Sequence, residues 1–403
     1  AEGATRCVCD QGYYTAPGAC HPQPEGLNAS SLDSSLRTLA LQAGFWRPGY
    51  NTTVAKRCHR PTCRNGTTPT AHYDARSNAT CAPGLRGPYC SVCEDAKSYP
   101  TGQGCTACGA SVAFAIVLVV LGLALLLALY RSRHRPCWSK AMLLARRLSL
   151  RSKVKTSVGF YQIVTQLADV YDFSYPAAYE RLLDAFRVSN LHLFAWLPGL
   201  RSVCLGMPTL LSQLLFATLA PLAVVGAAFA VVKLRRQPAV AALPFVLYWT
   251  FLVFPSVSSR GFRALATCDC FEYVDGAPPV CFLRDHLDEL CTLGARPWPR
   301  GEIVAAACLA ILLYGLGVPL LYALLLRHRH GAVADAVRFL HVDYEPTARW
   351  WELFEVGKKL VFTGFLALFL PGTLTQIYVA VAASFVVFAL QMYAMPYRRA
   401  GDN

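Results

Sequence analysis

From Val112 to Tyr130 the chain runs VAFAIVLVVLGLALLLALY, without a single charge. About 20 predominantly apolar residues span a ~30 Å hydrocarbon core, so this run reads as a transmembrane helix. Blocks of the same kind recur at Met207–Val232, Pro238–Val257, Ile303–Leu326, Leu353–Leu370 and Leu374–Met395. Charged residues make up only 15% of the chain, against roughly 25% in a soluble domain. The expected fold is therefore an all-α polytopic membrane protein.

The net charge of +14 is distributed in a way that argues against nucleic acid as a partner. Basic residues follow the ends of hydrophobic blocks: YRSRHR after the first, then KLRR, RHRH and finally PYRR. That is the positive-inside pattern of cytoplasmic flanks. The lipid bilayer is thus the first partner implied.

Cysteine usage divides the chain. Ten of the seventeen cysteines precede Val112: Cys7, Cys9, Cys20, Cys58, Cys63, Cys81, Cys90, Cys93, Cys105 and Cys108. The same stretch holds four N-x-S/T sequons, at Asn28, Asn51, Asn65 and Asn78, and none follows it. Together they predict an oxidised, glycosylated ectodomain over residues 1–108, with the seven-helix region over 109–403. CVCDQGYYTAPGAC has the spacing of half an EGF-like module, and the region is loop-rich in Gly, Pro, Asn and Thr. The pairs Cys90-x2-Cys93 and Cys105-x2-Cys108 also match zinc spacing. Beside sequons, disulfides are the expected chemistry, no metal is assigned, and connectivity stays open. The chain opens AEGATRCVCD, which reads as a processed or trimmed start.

An outside N-terminus sets the topology. The first helix runs inward and delivers the basic stretch 131–155, whose Trp138, Met142, Leu143 and Leu150 suggest an amphipathic helix on anionic inner-leaflet lipid. Ordinary flanking charge explains it equally. Ser149 there also fits a basic-directed kinase site. If residues from about Lys155 to Tyr175 failed to cross, every later basic flank would lie outside, and Cys268, Cys270, Cys281 and Cys291 would face a reducing cytosol. A crossing there gives seven spans: Val112–Tyr130, Thr156–Tyr175, Met207–Val232, Val240–Val257, Ile303–Leu326, Trp351–Leu370 and Leu374–Met395. The second, fourth and sixth run outward, and the C-terminus is cytoplasmic. Outer loops 176–208 and 258–302 follow, the latter a cap braced by its four cysteines, which Cys204 is expected to join. Fifteen outer cysteines make an odd set, so one is free or pairs between chains. Cys137 falls in the cytosol, and Cys308 reads as a small helix-packing residue.

The second span is polar. Gln162, Gln166 and Asp169 lie at i, i+4 and i+7 on one face, and Asp172 follows. An intramembrane carboxylate belongs against the bundle interior or a wet cavity. The stripe is a candidate ion or proton site, or interhelical hydrogen bonding with both aspartates at the outer boundary. On the sixth span, Glu355 and Lys359 form a candidate i, i+4 charge pair near the inner face, with Glu352 one turn earlier. Trp350 and Trp351 are candidate interfacial anchors.

Four segments, VKTSVGFYQIVTQLADVYDFSYPAAY, LLYGLGVPLLYALL, RWWELFEVGKKLVFTG and QMYAMPYRRAGDN, resemble the TRP-like multi-pass membrane proteins of algae, oomycetes and other unicellular eukaryotes. These frequently carry cysteine-rich, EGF-like ectodomains. The resemblance covers most of residues 80–403 and implies channel-like or sensory roles, without assigning functional residues. One departure stands out: PGTLTQ, at the junction of the last two spans, is too short for a re-entrant filter. Receptor signatures of G-protein-coupled type are absent too. No H-E-x-x-H, G-x-S-x-G or phosphate-binding glycine loop occurs, and His192, His286 and His341 are scattered, so neither an enzyme nor a cofactor is expected. The expectation is a cell-surface sensory or channel-like protein of the plasma membrane, ciliary or flagellar membrane included, whose ectodomain binds an extracellular protein or glycan. The alternatives are a non-conducting anchor for matrix, cell-wall or flagellar-hair material, and a seven-span ligand receptor.

Overall fold

A computed structural model describes residues 8–16, 19–49, 52–58, 63, 81–101, 104–108, 117, 121, 150–171, 179, 202–266, 268–272, 279–284, 286–291, 299–328, 330–368 and 373–398. Two compact units result. One gathers Ala1–Ser111, Arg201–Leu210 and Thr267–Arg300, and the other holds the remaining helical chain.

The first unit is made of short antiparallel pairs, as expected where turns and cysteines crowd out long apolar runs. Strands β1 (Tyr13–Ala16) and β2 (Ala19–Pro22) pair, as do β3 (Leu27–Asn28) with β4 (Ala40–Leu41) and β5 (Phe45–Trp46) with β6 (Lys56–Arg57). β7 (Leu85–Arg86) pairs with β8 (Val92–Cys93), and β9 (Ser98–Thr101) with β10 (Gly104–Ala107). The later stretch adds a sheet of three strands, β11 (Asp269–Phe271), β12 (Val280–Leu283) and β13 (His286–Leu290).

So little sheet cannot stabilise a unit alone. Seven disulfides among the described residues do much of that work: Cys9–Cys20, Cys58–Cys63, Cys81–Cys90, Cys93–Cys105, Cys108–Cys204, Cys268–Cys291 and Cys270–Cys281. The zinc-like pairs are thus disulfide-bonded. Cys204 departs from expectation: it bonds Cys108, while the four cap cysteines pair among themselves because β11 and β12 already set Cys270 opposite Cys281. Cys7 and Cys137 lie outside the described residues.

Trp46 is fully buried and meets Phe271 edge-on at 5.1 Å and Tyr89 at 5.2 Å, in a cluster with Leu85, Phe282 and three disulfide-bonded cysteines. Phe271 and Phe282, from the stretch expected to form a cap, therefore belong to the core of the cysteine-rich unit. A second cluster centres on Leu27, Leu39, Leu41 and Phe45. Gly26 sits beneath it at φ +80°, where a Cβ would fall 2.3 Å from the Phe45 ring, so only glycine fits both the turn and the contact. Asn28 is exposed; Asn51, Asn65 and Asn78 lie outside the described residues.

The second unit is helical. α1 spans Leu150–Tyr171, α2 Leu210–Leu234 and α3 Leu243–Ala264, the last entered by a short 3-10 turn from Ala239. α4 (Gly301–Ala310) and α5 (Gly317–Leu326) are joined through a π-helical stretch, Ile311–Leu316. A short α6 (Gly331–Ala336) precedes α7 (Trp351–Leu360), which continues through a π segment, Val361–Phe365, into α8 (Leu366–Leu368). α9 spans Leu374–Ala394.

Among the described residues, four helical stretches are long and apolar enough to cross a bilayer: Leu210–Leu234, Ala239–Ala264, Gly301–Leu326 and Leu374–Ala394. α1 and the α7–α8 stretch fall at expected spans but carry buried polar groups in place of a continuous apolar run. Of Val112–Tyr130, only residues 117 and 121 are described. α9 turns nearly all of its apolar side chains outward, as a lipid-facing helix does. Cys308 is likewise exposed on α4, so it does not pack within the described chain.

Helix contacts rest on small residues, since in lipid close backbone approach replaces the hydrophobic effect. A Cβ on Gly261 would meet the Ala307 carbonyl at 3.1 Å, and one on Gly364 would lie 2.5 Å from the Phe262 ring. Prolines are answered locally. Pro319 cannot donate an N–H within the helix, and just before it the turn widens so that the Gly317 N–H reaches the Leu312 carbonyl. Around Pro221, the Trp249 indole donates to the Pro221 carbonyl at 3.1 Å and the Tyr314 hydroxyl to Thr218 at 2.8 Å.

Candidate functional site

The polar face of α1 meets α7 in two rungs. Lys155 Nζ binds Glu352 Oε2, and seven residues on, Lys359 Nζ donates to Gln162 Oε1 at 2.8 Å. Both contacts join residues 197 apart, so α1 and α7 run parallel and in register. Seven residues are nearly two helical turns, which returns each pair to the same face.

At the lower rung, Lys155 also donates to the Phe339 carbonyl at 3.2 Å and lies 4.4 Å from that ring's centroid. The Tyr344 hydroxyl donates to Glu352 Oε2 at 2.9 Å. Glu352 is 1% exposed, and a carboxylate so placed needs both partners. Burial, then the Glu352 charge, holds the Tyr344 phenol well above its ordinary pKa, and burial pushes Tyr397 up to about 12. Both phenols are therefore protonated donors at neutral pH.

At the upper rung, Lys359 is 2% exposed. Its ammonium lies 3.9 Å from the Phe251 ring centroid and 5.8 Å from that of Phe254, a cation–π seat on α3. Gly159 makes room: a Cβ there would stand 3.3 Å from Lys359 Cε. Gln162, fully buried, joins three helices. While its oxygen takes the Lys359 proton donor, its Nε2 donates to the Phe251 and Leu252 carbonyls at 3.4 and 3.3 Å. The Phe251 carbonyl is the one left open by Pro255, which lacks the N–H that would close the helix there. Gln162 thus replaces a missing backbone donor and holds a buried cation at once.

Gln166, one turn further, is 3% exposed, and its Nε2 has no hydrogen-bond partner among the described residues. Asp169 belongs to the same helix, but its side chain lies outside the described residues, as does the whole of Asp172. The expected pair Glu355–Lys359 is not made. Glu355 binds Lys358 at 2.6 Å, because α7 turns Lys359 inward onto Gln162 and leaves Glu355 on the flank with Lys358. That pair borders an apolar groove of about 660 Å³ between α1, the α7 stretch and α9.

Lys155, Tyr344 and Gln376 were absent from the expected site. Gln376, fully buried, donates to the Leu366 and Val170 carbonyls at 2.7 and 3.2 Å, tying α9 to α8 and α1. Lys155 had a signal in its seven-residue spacing from Gln162, hidden among flanking basic residues. Tyr344 and Gln376 had none. No group of His, Cys, Asp or Glu able to hold a metal occurs among the described residues. No family model, curated protein or solved structure matches the chain.

Proposed function

We propose that the chain is a cell-surface sensory or channel-like integral membrane protein. In this reading a glycosylated, disulfide-braced outer module engages an extracellular protein or glycan. A seven-span bundle, N-terminus outside and C-terminus cytoplasmic, carries the response across the plasma membrane. Two observations support the topology. Cys108 and Cys204 must share one side to be bonded, so an even number of crossings separates them, and α1 supplies the partner crossing for Val112–Tyr130. Parallel α1 and α7 suit two spans that both run outward.

The observation that carries the functional reading is Lys359. Its ammonium is buried without a carboxylate within ion-pair distance among the described residues, because Glu352 is held by Lys155 and Glu355 by Lys358. An intramembrane charge of this kind is costly and marks function by default. Lys359→Met keeps the length and removes the charge. In proteoliposomes it is expected to leave thermal stability equal or higher and to abolish ion flux driven by a salt gradient. Wild-type protein without flux eliminates the conducting form.

The second reading, a non-conducting anchor for extracellular material, is favoured by Gln162 and Gln376, both engaged on backbone carbonyls of neighbouring helices. Absent flux together with stoichiometric capture of a fibrous glycoprotein would establish it.

A further inference from the structure

The segment 341–350 and the chain after α9 are stitched together. Glu345 N–H donates to the Pro396 carbonyl at 2.8 Å, Arg398 N–H to Asp343 at 3.2 Å, and Arg398 Nε to the Tyr344 carbonyl at 2.7 Å. Between them, at the end of α5, lies a polar cavity of about 440 Å³. That is within the roughly 300–1,000 Å³ typical of ligand pockets.

Its charges are mainly basic. Arg349 and Arg398 line it, with His341, Thr347 and Trp350, and Glu345 is the one carboxylate in the lining. Several donors are unused. Arg349 gives Nη2 to the His328 carbonyl at 3.1 Å, but its buried Nε has no hydrogen-bond partner among the described residues. With Nε of Arg398 fixed on Tyr344, its two Nη groups have no protein partner among the described residues. Guanidinium forks match phosphate oxygens two at a time. Orphaned buried donors are costly unless something accepts from them.

We propose that this cavity is a binding site for a phosphate-bearing anion, held by Arg349 and Arg398 with His341 and Thr347 at its edge. The surroundings agree: burial first, then Arg349, with Arg398 and Arg338 contributing, pushes the His341 pKa down, and the guanidinium share of that shift places positive charge beside the cavity. The cavity lies where two apolar helices, ending at Leu326 and Ala394, leave the bilayer. The phosphate therefore comes either from a lipid headgroup or from a free anion.

The test uses the full chain in phosphatidylcholine nanodiscs. The probes are inorganic phosphate in solution and, separately, phosphatidylinositol 4-phosphate added to the disc, with saturable binding and thermal midpoint as readouts. At least one probe is expected to bind and raise the midpoint. A response to inorganic phosphate identifies a free-anion site, and a response to the lipid alone a headgroup site. Arg398→Gln should weaken binding about tenfold, the loss of one charge-assisted contact. Lys153→Gln, which removes the same charge from an exposed position outside the lining, should leave binding unchanged. Thr347→Trp fills the cavity from an exposed position, without touching the Tyr344 contact, and should abolish binding. Binding of neither probe, equal losses in Arg398→Gln and Lys153→Gln, or full binding in Thr347→Trp would each overturn the proposal.

Discussion

Gln162 carries two separable duties, and a double-mutant cycle can divide them. Gln162→Leu removes the acceptor for Lys359 and the donor for the carbonyl that Pro255 leaves open. The first loss is a hydrogen bond to a charged group, worth about 1.5–3 kcal/mol. The second is a neutral interhelical bond, for which measured values in membranes average about 0.6 and reach about 1.7 kcal/mol. Together they predict a destabilisation of about 2–5 kcal/mol. Pro255→Ala restores an N–H four residues beyond Phe251, so the helix can close on its own carbonyl. In that background Gln162→Leu should cost about 1 kcal/mol less, while the Lys359 part remains. Unfolding free energies of the four proteins, measured by steric trapping in bicelles, give the coupling directly. Strict additivity would show that Gln162 does not substitute for the proline's missing donor.

Other outcomes follow from packing, cross-linking and charge. Gly364→Ala should destabilise by about 1–3 kcal/mol through its clash with Phe262, while Gly357→Ala, with open space around it, should be neutral or gain up to about 1 kcal/mol; thermal midpoints of the pair decide. Cys108→Ser should cost about 4–5 kcal/mol, the entropy of a loop near 100 residues, and non-reducing peptide mapping of the parent should yield a fragment joining Cys108 to Cys204. His341 has a folded pKa below its ordinary 6.5, so the unfolded chain binds the proton more readily. Its contribution is present above pH ~6.5 and lost as pH falls toward the folded value. The midpoint should drop between pH 7.5 and 5, and His341→Asn should flatten that drop.

Much of the architecture was legible because it depends on runs and periods. Apolar blocks predicted α2, the α4–α5 stretch and α9 to within a few residues and the start of α3, which runs on seven residues past the expected end at Val257 to Ala264; the i, i+4 spacing of Gln162 and Gln166 predicted one buried face. What sequence could not supply was partner choice. Lys359 has Glu355 one turn before it, yet its rotamer points to another helix, and only tertiary packing decides that. Pro255 is visible in the sequence, but which side chain answers its open carbonyl depends on the register of α1 against α3. Cys204 was assigned to the nearest cysteine cluster, whereas the chain's path brings it to Cys108. The π turns before Pro319 and after Lys359 are also hidden, since a one-residue widening leaves the apolar period almost intact.

The bond between Cys108 and Cys204 has a consequence for how the protein is made. The cysteine-rich unit opens the chain, yet it draws on Arg201–Leu210 and Thr267–Arg300 for a disulfide partner and for Phe271 and Phe282 of its core. It therefore cannot mature as it leaves the ribosome. Cys108 must stay reduced, or wait in a mixed disulfide with an oxidoreductase, while nearly a hundred further residues are synthesised. The aromatic core stays open until Phe282 has emerged. Oxidative maturation of this unit is thus tied to synthesis of the helices between its pieces, and a fault in those helices should appear first as a misoxidised cysteine-rich unit.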